Sequence, residues 1–299
     1  MNKITLTIDN QVVEVSSDGT ILDAAQEAGI KIPTLCYHPD LSLHGSCRVC
    51  VVEDLNNGRL LASCVTPVTQ GMNVSTRSAR ARKARQMNVE LLLANHPSDC
   101  LSCDRSGSCE LQDIAYDLGI KREAVEQIRG ERRNLPVDER GPALKREPNK
   151  CILCGRCVRV CEEVQGVGAL DFMGRGFDSI VTTAFDLPLS DINCANCGQC
   201  AIVCPVGAIT EISEIDRVWE ALEDPDKFVV VQTAPSIQVS IGEEFGLPVG
   251  TVVTGKLVAA LRKLGFDRVF STEFTADLTI MEEGHEFISK IRGGQPLPH

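Results

Sequence analysis

Aromatic residues make up only 4% of the 299-residue chain, with one tryptophan, two tyrosines and nine phenylalanines. With so few large side chains, much of the N-terminal part is expected to depend on cross-links rather than on a large apolar core. Long hydrophobic runs are missing as well. No uninterrupted apolar stretch approaches the roughly 18 residues of a membrane span, so any membrane association would come through partners. The opening MNKITLTIDN has no basic start, apolar middle or small-residue cleavage site, so no secretory leader is expected and a reducing, cytoplasmic setting fits. Positive charge is in deficit: the formal net charge of -11 opposes general nucleic-acid binding. Two basic stretches run against that trend, Arg77, Arg80, Arg82, Lys83 and Arg85, then Lys121, Arg122, Arg129, Arg132 and Arg133. They read as solvated helix faces and connectors, with docking to an acidic partner as the alternative.

What the chain has in excess is cysteine. There are 15, an odd number, so disulfide pairing within one chain leaves a thiol over, whereas metal ligation does not. All lie at or before Cys204. The fold class expected is α+β and multidomain. Residues 3–8 and 11–15 alternate around an Asp9-Asn10 turn signal, and Thr20 caps a short helix that Gly29 closes. With strand-like pieces at 49–53, 59–62 and 72–75, residues 1–77 read as a β-grasp domain. A helix is expected over 78–95, inside a segment 78–118, followed by a charged linker at 119–140 within a connector-like stretch reaching 149. The runs CILCGRCVRVC (151–161) and CANCGQCAIVC (194–204) repeat one spacing and mark a duplicated unit over 141–213. Beyond it, residues 214–299 alternate strands and helices as a short α/β region, with FVVVQ at 228–232 as a buried strand.

The spacings sort the cysteines into ligand sets. Cys36, Cys47, Cys50 and Cys64 suit one [2Fe-2S] cluster: a C-x2-C turn presents two thiolates and two outlying cysteines complete the pair of irons. Ten residues separate Cys36 from Cys47, against four in the plant-type spacing, so this loop is extended. Four-cysteine sites also bind structural zinc, and a zinc-stabilised scaffold is the bland alternative. Cys100, Cys103 and Cys109 are three thiols without a fourth; a lone histidine is more often an ordinary surface or core residue, but His96, with three residues between it and Cys100, is the candidate for the missing ligand. In a two-cluster ferredoxin the last cysteine of each run crosses to the other cluster. Cys151, Cys154, Cys157 and Cys204 therefore form one [4Fe-4S] set, and Cys194, Cys197, Cys200 and Cys161 the other. Every cysteine is then used once. The 32 residues between Cys161 and Cys194 call for an inserted hairpin or loop. Gly155, Gly198, Ala195 and Ala201 suit close backbone approach or ordinary turns. His38, His44, His285 and His299 read as structural or exposed, and Lys256, Glu282 and Glu283 as surface charges.

The extended first loop resembles that of the large iron-sulfur subunit of respiratory complex I and of the N-terminal part of multi-cluster, electron-bifurcating [FeFe]-hydrogenases. The H-x3-C-x2-C-x5-C segment resembles their His-ligated [4Fe-4S] segment, which implies a [4Fe-4S] cluster on His96, Cys100, Cys103 and Cys109. The stretch VQTAPSIQVSIGEEFGLPVGTVVTGKLVAALRKLGFDRVFSTEFTADLTIMEEGHEF resembles the start of the hydrogenase catalytic domain. In that family the hydrogen-activating cluster sits on cysteines further along, and nothing after Cys204 supplies them here. The resemblance implies an electron-transfer subunit of an NAD(P)-linked complex, shortened relative to a hydrogenase, with the N-terminal fragment of a hydrogenase as the alternative. Its mechanism is outer-sphere transfer of single electrons, with no catalytic acid, base or nucleophile. No Gly-rich dinucleotide fingerprint follows a strand, so the expected partner is a flavin-containing NAD(P)H-oxidising subunit, alongside ferredoxin or another catalytic subunit.

Overall fold

A computed structural model describes residues 3–294, which divide into two units between Ile212 and Ser213. In the first unit β1 (Lys3–Ile8) and β2 (Gln11–Ser16) form an antiparallel hairpin. Its Asp9-Asn10 turn has φ of 49° and 70°, left-handed values that Asp and Asn tolerate in a two-residue hairpin loop. Helix α1 (Ile21–Glu27) starts in a capping box: the Thr20 hydroxyl accepts from the Asp23 N–H at 3.2 Å and the Asp23 carboxylate accepts from the Thr20 N–H at 2.8 Å. Strands β3 (Val51–Asp54), β4 (Arg59–Ala62) and β5 (Asn73–Ser75) complete a mixed sheet in the order β2-β1-β5-β3-β4. The β1–β5 pair is parallel, and the other pairs are antiparallel. One face of the sheet grips α1, burying Leu6, Ile8, Ile21, Leu22, Val52 and Val74 in one core. This part of the chain therefore has a real apolar core, contrary to what the scarcity of large side chains suggests. Aliphatic residues at alternate strand positions fill the space instead.

Helix α2 (Ala79–Ala94) begins where the Ser78 hydroxyl accepts from the Ala81 N–H at 3.1 Å, and it buries Ala81, Arg85, Val89 and Ala94 along one stripe. After α3 (Glu110–Asp117), the stretch whose composition reads as a linker forms α4 (Arg122–Ile128), which packs on α2 and buries Val125. Asp138, expected in the same linker, is buried: it exchanges two backbone hydrogen bonds with Arg146, and its carboxylate accepts from the Leu189 N–H. Charge and scattered prolines conceal these contacts, because the apolar residues holding α4 are few.

The duplicated region comprises β6 (Leu144–Arg146), α5 (Arg156–Arg159) continuing as a π-helical turn over Val160–Val164, a hairpin of β7 (Asp171–Met173) and β8 (Ile180–Thr182), α6 (Gln199–Ile202) and β9 (Ile209–Glu211). β6 and β9 pair antiparallel and tie its two ends together, and the β7–β8 hairpin is the insertion between the runs. The repeat is visible in the backbone. Leu153 and Asn196 have φ of 54° and 51°, and Gly155 and Gly198, two residues on, have 69° and 76°.

The second unit contains α7 (Ile215–Glu223), β10 (Val230–Thr233), α8 (Ile237–Ser240), α9 (Thr254–Leu264), β11 (Arg268–Ser271) and α10 (Thr272–Arg292). β10 and β11 are parallel, as a strand–helix–strand crossover requires. The expected burial of 228–232 is not met: Phe228 and Val230 are 67% and 53% exposed, because the strand has a single neighbour and no helix of the unit buries a residue among those described. Lys256, Glu282 and Glu283 are exposed, as their surface reading requires, and His299 lies outside the described residues.

Candidate metal centres

Cys36, Cys47, Cys50 and Cys64 are all buried, drawn from the loop after α1, the turn into β3 and the end of β4. The sulfurs of Cys50 and Cys64 are 3.3 Å apart. Cys47 and Cys64 are the neighbours that act most strongly on the Cys36 thiol, which brings the four into one group. Protons shared among these crowded thiols pull Cys36 and Cys50 below the ordinary thiol range and push Cys47 and Cys64 above it. Left-handed Arg48 (φ 55°) turns the chain between Cys47 and Cys50, and Asn88 of α2 donates to its carbonyl at 2.7 Å. One turn of helix earlier, Arg85 donates from Nε to the Val51 carbonyl at 2.8 Å, while its Nη2 is buried without a partner. Arg85 is thus no part of a solvated basic face, as its stretch suggests; burial holds its guanidinium below the usual range beside Cys50.

His96 follows α2 and is buried. Its Nδ1 lies 2.8 Å from the Pro97 carbonyl, a geometry that puts the proton on Nδ1 and leaves the Nε2 lone pair free. Nε2 is buried with no hydrogen-bond partner, and burial pushes the imidazole below its ordinary pKa, towards the neutral form that binds iron. Cys109 sits at the N-terminus of α3, and Cys100 opens a short 3-10 turn that Cys103 follows. Burial raises the Cys109 thiol, and the nearby Cys103 and Cys100 raise it further. His96 and Cys103 share Lys150 as a neighbour. Cys103 packs against Gly207, where an added Cβ would come within 2.8 Å of its sulfur.

In the duplicated region the thiols meet as two crossed sets. Cys151, Cys154, Cys157 and Cys204 line one cavity, and Cys161, Cys194, Cys197 and Cys200 line another. The fourth cysteine of each run is thus beside the first three of the other. Backbone N–H groups already point at sulfur: Leu153 donates to Cys151 at 3.4 Å and Ala169 to Cys161 at 3.2 Å. Burial pushes Cys151 up to about 11 and Cys154 and Cys200 up to about 12. The Arg156–Glu110 pair (2.6 and 3.0 Å) joins this region to α3, and Arg105 donates to the Cys204 carbonyl at 2.7 Å. The His96 segment and the crossed sets are therefore one packed body.

Among the described residues, no three His, Cys, Asp or Glu side chains close on a single point as one mononuclear ion requires. Thiols gathered around two cavities, and an imidazole with a free nitrogen, are the donor chemistry that iron-sulfur clusters take. Sequence reasoning missed Arg85, Arg105 and Gly207. Only Gly207 carried a signal, a glycine three residues past the last cysteine.

Comparison with known families assigns the segments. Residues 1–79 match the 2Fe-2S iron-sulfur cluster binding domain, and 85–124 the NADH-ubiquinone oxidoreductase-G iron-sulfur binding region. Residues 141–210 match the ferredoxin-like domain of NADH-quinone oxidoreductase subunit 3, and 227–299 the C-terminal domain of the iron only hydrogenase large subunit. A chain in the crystal structure of an NAD+-reducing [NiFe]-hydrogenase in the H2-reduced state superposes with a TM-score of 0.65 at 37% identity, over 70% of this chain and 88% of that one. The chain belongs to the iron-sulfur family that hydrogenases and complex I share. It is 48% identical to the NADP-reducing hydrogenase subunit HndD of Solidesulfovibrio fructosivorans, over 97% of this chain and 50% of that one. Iron hydrogenase 1 of Clostridium pasteurianum is 36% identical over 98% and 51%. The chain thus spans about half the length of these relatives. It carries 2Fe-2S and 4Fe-4S binding domains. Among the described residues no helix is long and apolar enough to cross a membrane.

Proposed function

We propose that the chain is an electron relay holding four clusters. One [2Fe-2S] cluster sits on Cys36, Cys47, Cys50 and Cys64, and three [4Fe-4S] clusters sit on His96 with Cys100, Cys103 and Cys109, on Cys151, Cys154, Cys157 and Cys204, and on Cys194, Cys197, Cys200 and Cys161. The observation that carries this reading is the crossed pair of thiol-lined cavities, with the unpartnered His96 Nε2 completing the remaining set of three. An iron-sulfur cluster supplies a one-electron couple with no bond made or broken to substrate. The protein's part is to bury the thiolates, aim N–H groups at sulfur and set the local charge. Imidazole in place of thiolate removes a negative charge, so the His96 site has a higher potential than an all-cysteine site of equal burial. Under this reading, residues 1–77, 78–118 and 141–213 are the three cluster-bearing modules and 119–140 links them.

The relay runs between a flavin-containing NAD(P)H-oxidising subunit and ferredoxin or a catalytic partner, in an electron-bifurcating or simpler NAD(P)-linked complex. A second reading, that the same relay feeds a hydrogenase catalytic domain in one polypeptide, is supported by the match of residues 227–299 and by the apolar surface of the second unit. Purification of the native complex, with its subunits identified and assayed for nicotinamide, hydrogen and formate oxidation, separates them. Copurification with a flavoprotein that oxidises NAD(P)H supports the first reading. Hydrogen turnover by a single longer polypeptide supports the second.

A further inference from the structure

Arg159 is 7% exposed, yet it lies in the run between Cys157 of one crossed set and Cys161 of the other. Its guanidinium bonds backbone carbonyls on both sides of a boundary. Nε donates to the Gly155 carbonyl at 3.2 Å, within its own helix, while Nη2 donates to the Cys36 carbonyl at 2.6 Å and Nη1 to that of Ser42. Cys36 is a member of the first thiol set, and Ser42 lies in the loop after it. One buried cation thus bonds the backbone of two ligand segments, the loop that follows Cys36 and the run that carries Cys154 and Cys157.

The surrounding contacts show that this junction is built. Ser42 donates its N–H to Glu163 at 2.9 Å and its hydroxyl to the same carboxylate. The His44 ring stacks on Phe172 at 5.9 Å, and Ser46 donates to the Leu153 carbonyl at 3.4 Å. Leu41 packs with Val160 and Val203. All of these loop residues fall between Cys36 and Cys47, the interval that is longer than the plant-type spacing. The extension is therefore the part of the first domain that seats it on the duplicated region.

We propose that Arg159 is a positioning residue of the relay, holding the Cys36 loop against the crossed sets and raising the reduction potential of the centre on Cys36, Cys47, Cys50 and Cys64. The permanently charged guanidinium is bonded directly to neutral carbonyls, while the Glu163 carboxylate within its electrostatic reach is hydrogen-bonded to Ser42 and offsets its field only in part. In a low-dielectric site that field favours the extra electron. The step is a plain reduction: one electron enters from dithionite in the test, or from a reduced flavin in the complex, and no proton or bond accompanies it. The carbonyl contacts also give a hydrogen-bonded path from the first set to the run carrying Cys157 and Cys161. This inference rests on the cluster reading of those sets.

Redox titration of the intact protein, following the [2Fe-2S] electron paramagnetic resonance signal, tests it. In R159M with full iron content, the reduced-to-oxidised ratio at the wild-type midpoint is expected to fall about tenfold, ~59 mV for a one-electron couple. R159K keeps the charge but not the three-carbonyl fork, and is expected to hold the midpoint close to wild type. An unmoved midpoint in fully loaded R159M overturns the proposal. If R159M loses iron, R159Q, which keeps polar donors without the charge, takes its place: a tenfold fall supports the proposal and an unmoved midpoint overturns it. An iron-free, colourless wild type would instead defeat the cluster reading itself.

Discussion

Gly207→Ala is expected to remove one [4Fe-4S] cluster and spare the others. A Cβ at this position would sit 2.8 Å from Cys103 Sγ and 3.5 Å from Arg105 Cγ, about 0.6 Å inside the 3.4 Å at which ordinary contact begins. The backbone at Gly207 cannot retreat. Val206 is 1% exposed, the Ala208 carbonyl accepts from the Glu147 N–H at 2.8 Å, and β9 begins at Ile209. Cys103 must therefore move, by roughly a quarter of a metal–thiolate bond of about 2.3 Å, the zinc–sulfur length. Overpacking of this kind costs about 1–3 kcal/mol in an apolar core. Here the moving atom is a ligand, so the cost falls on cluster retention. Iron should drop by about four per chain, with loss of the signal that His96→Cys also shifts. Gly130→Ala is the control, since its added Cβ meets nothing within 4 Å. Full iron and an unchanged spectrum in Gly207→Ala would refute the placement of Cys103 as a ligand.

Replacing His96 by Cys adds a thiolate, so that site should keep its iron but reduce at a lower potential; if no cluster signal moves, His96 is not a ligand. Anaerobic iron chelation should leave hydrogen-exchange protection in β1 and β5, whose core is aliphatic, and abolish it in β6, α5 and α6, elements of three or four residues each. Uniform loss across both regions would show that the sheet also depends on metal. Truncation after Ile212, the boundary of the first unit, should preserve iron per chain and every cluster signal. Loss of any signal would mean that the second unit supports a site.

Much of the grouping of thiols was legible because residues that meet around one cavity keep a regular spacing in the chain. The two C-x2-C-x2-C-x3-C runs gave the crossed sets, and the three thiols of the second group pointed to His96 by what they lacked. The opening hairpin and α1 were readable from alternation and from the Thr20 cap. The supporting arginines were not. Arg85 and Arg159 look like ordinary helix charges until tertiary packing buries them against carbonyls. Helix α4 was hidden because a single buried residue, Val125, anchors it within a charged stretch. Strand β10 shows the reverse error: a run of valines implies burial, but burial needs neighbours that residues 213–294 do not place over it.

The most direct test of the relay is metal analysis of the anaerobically purified chain together with spectra before and after dithionite. Four clusters predict about 14 irons per chain, brown absorption that bleaches on reduction, and overlapping [2Fe-2S] and [4Fe-4S] resonances. A colourless protein holding a few zinc ions and no reducible signal would contradict the account.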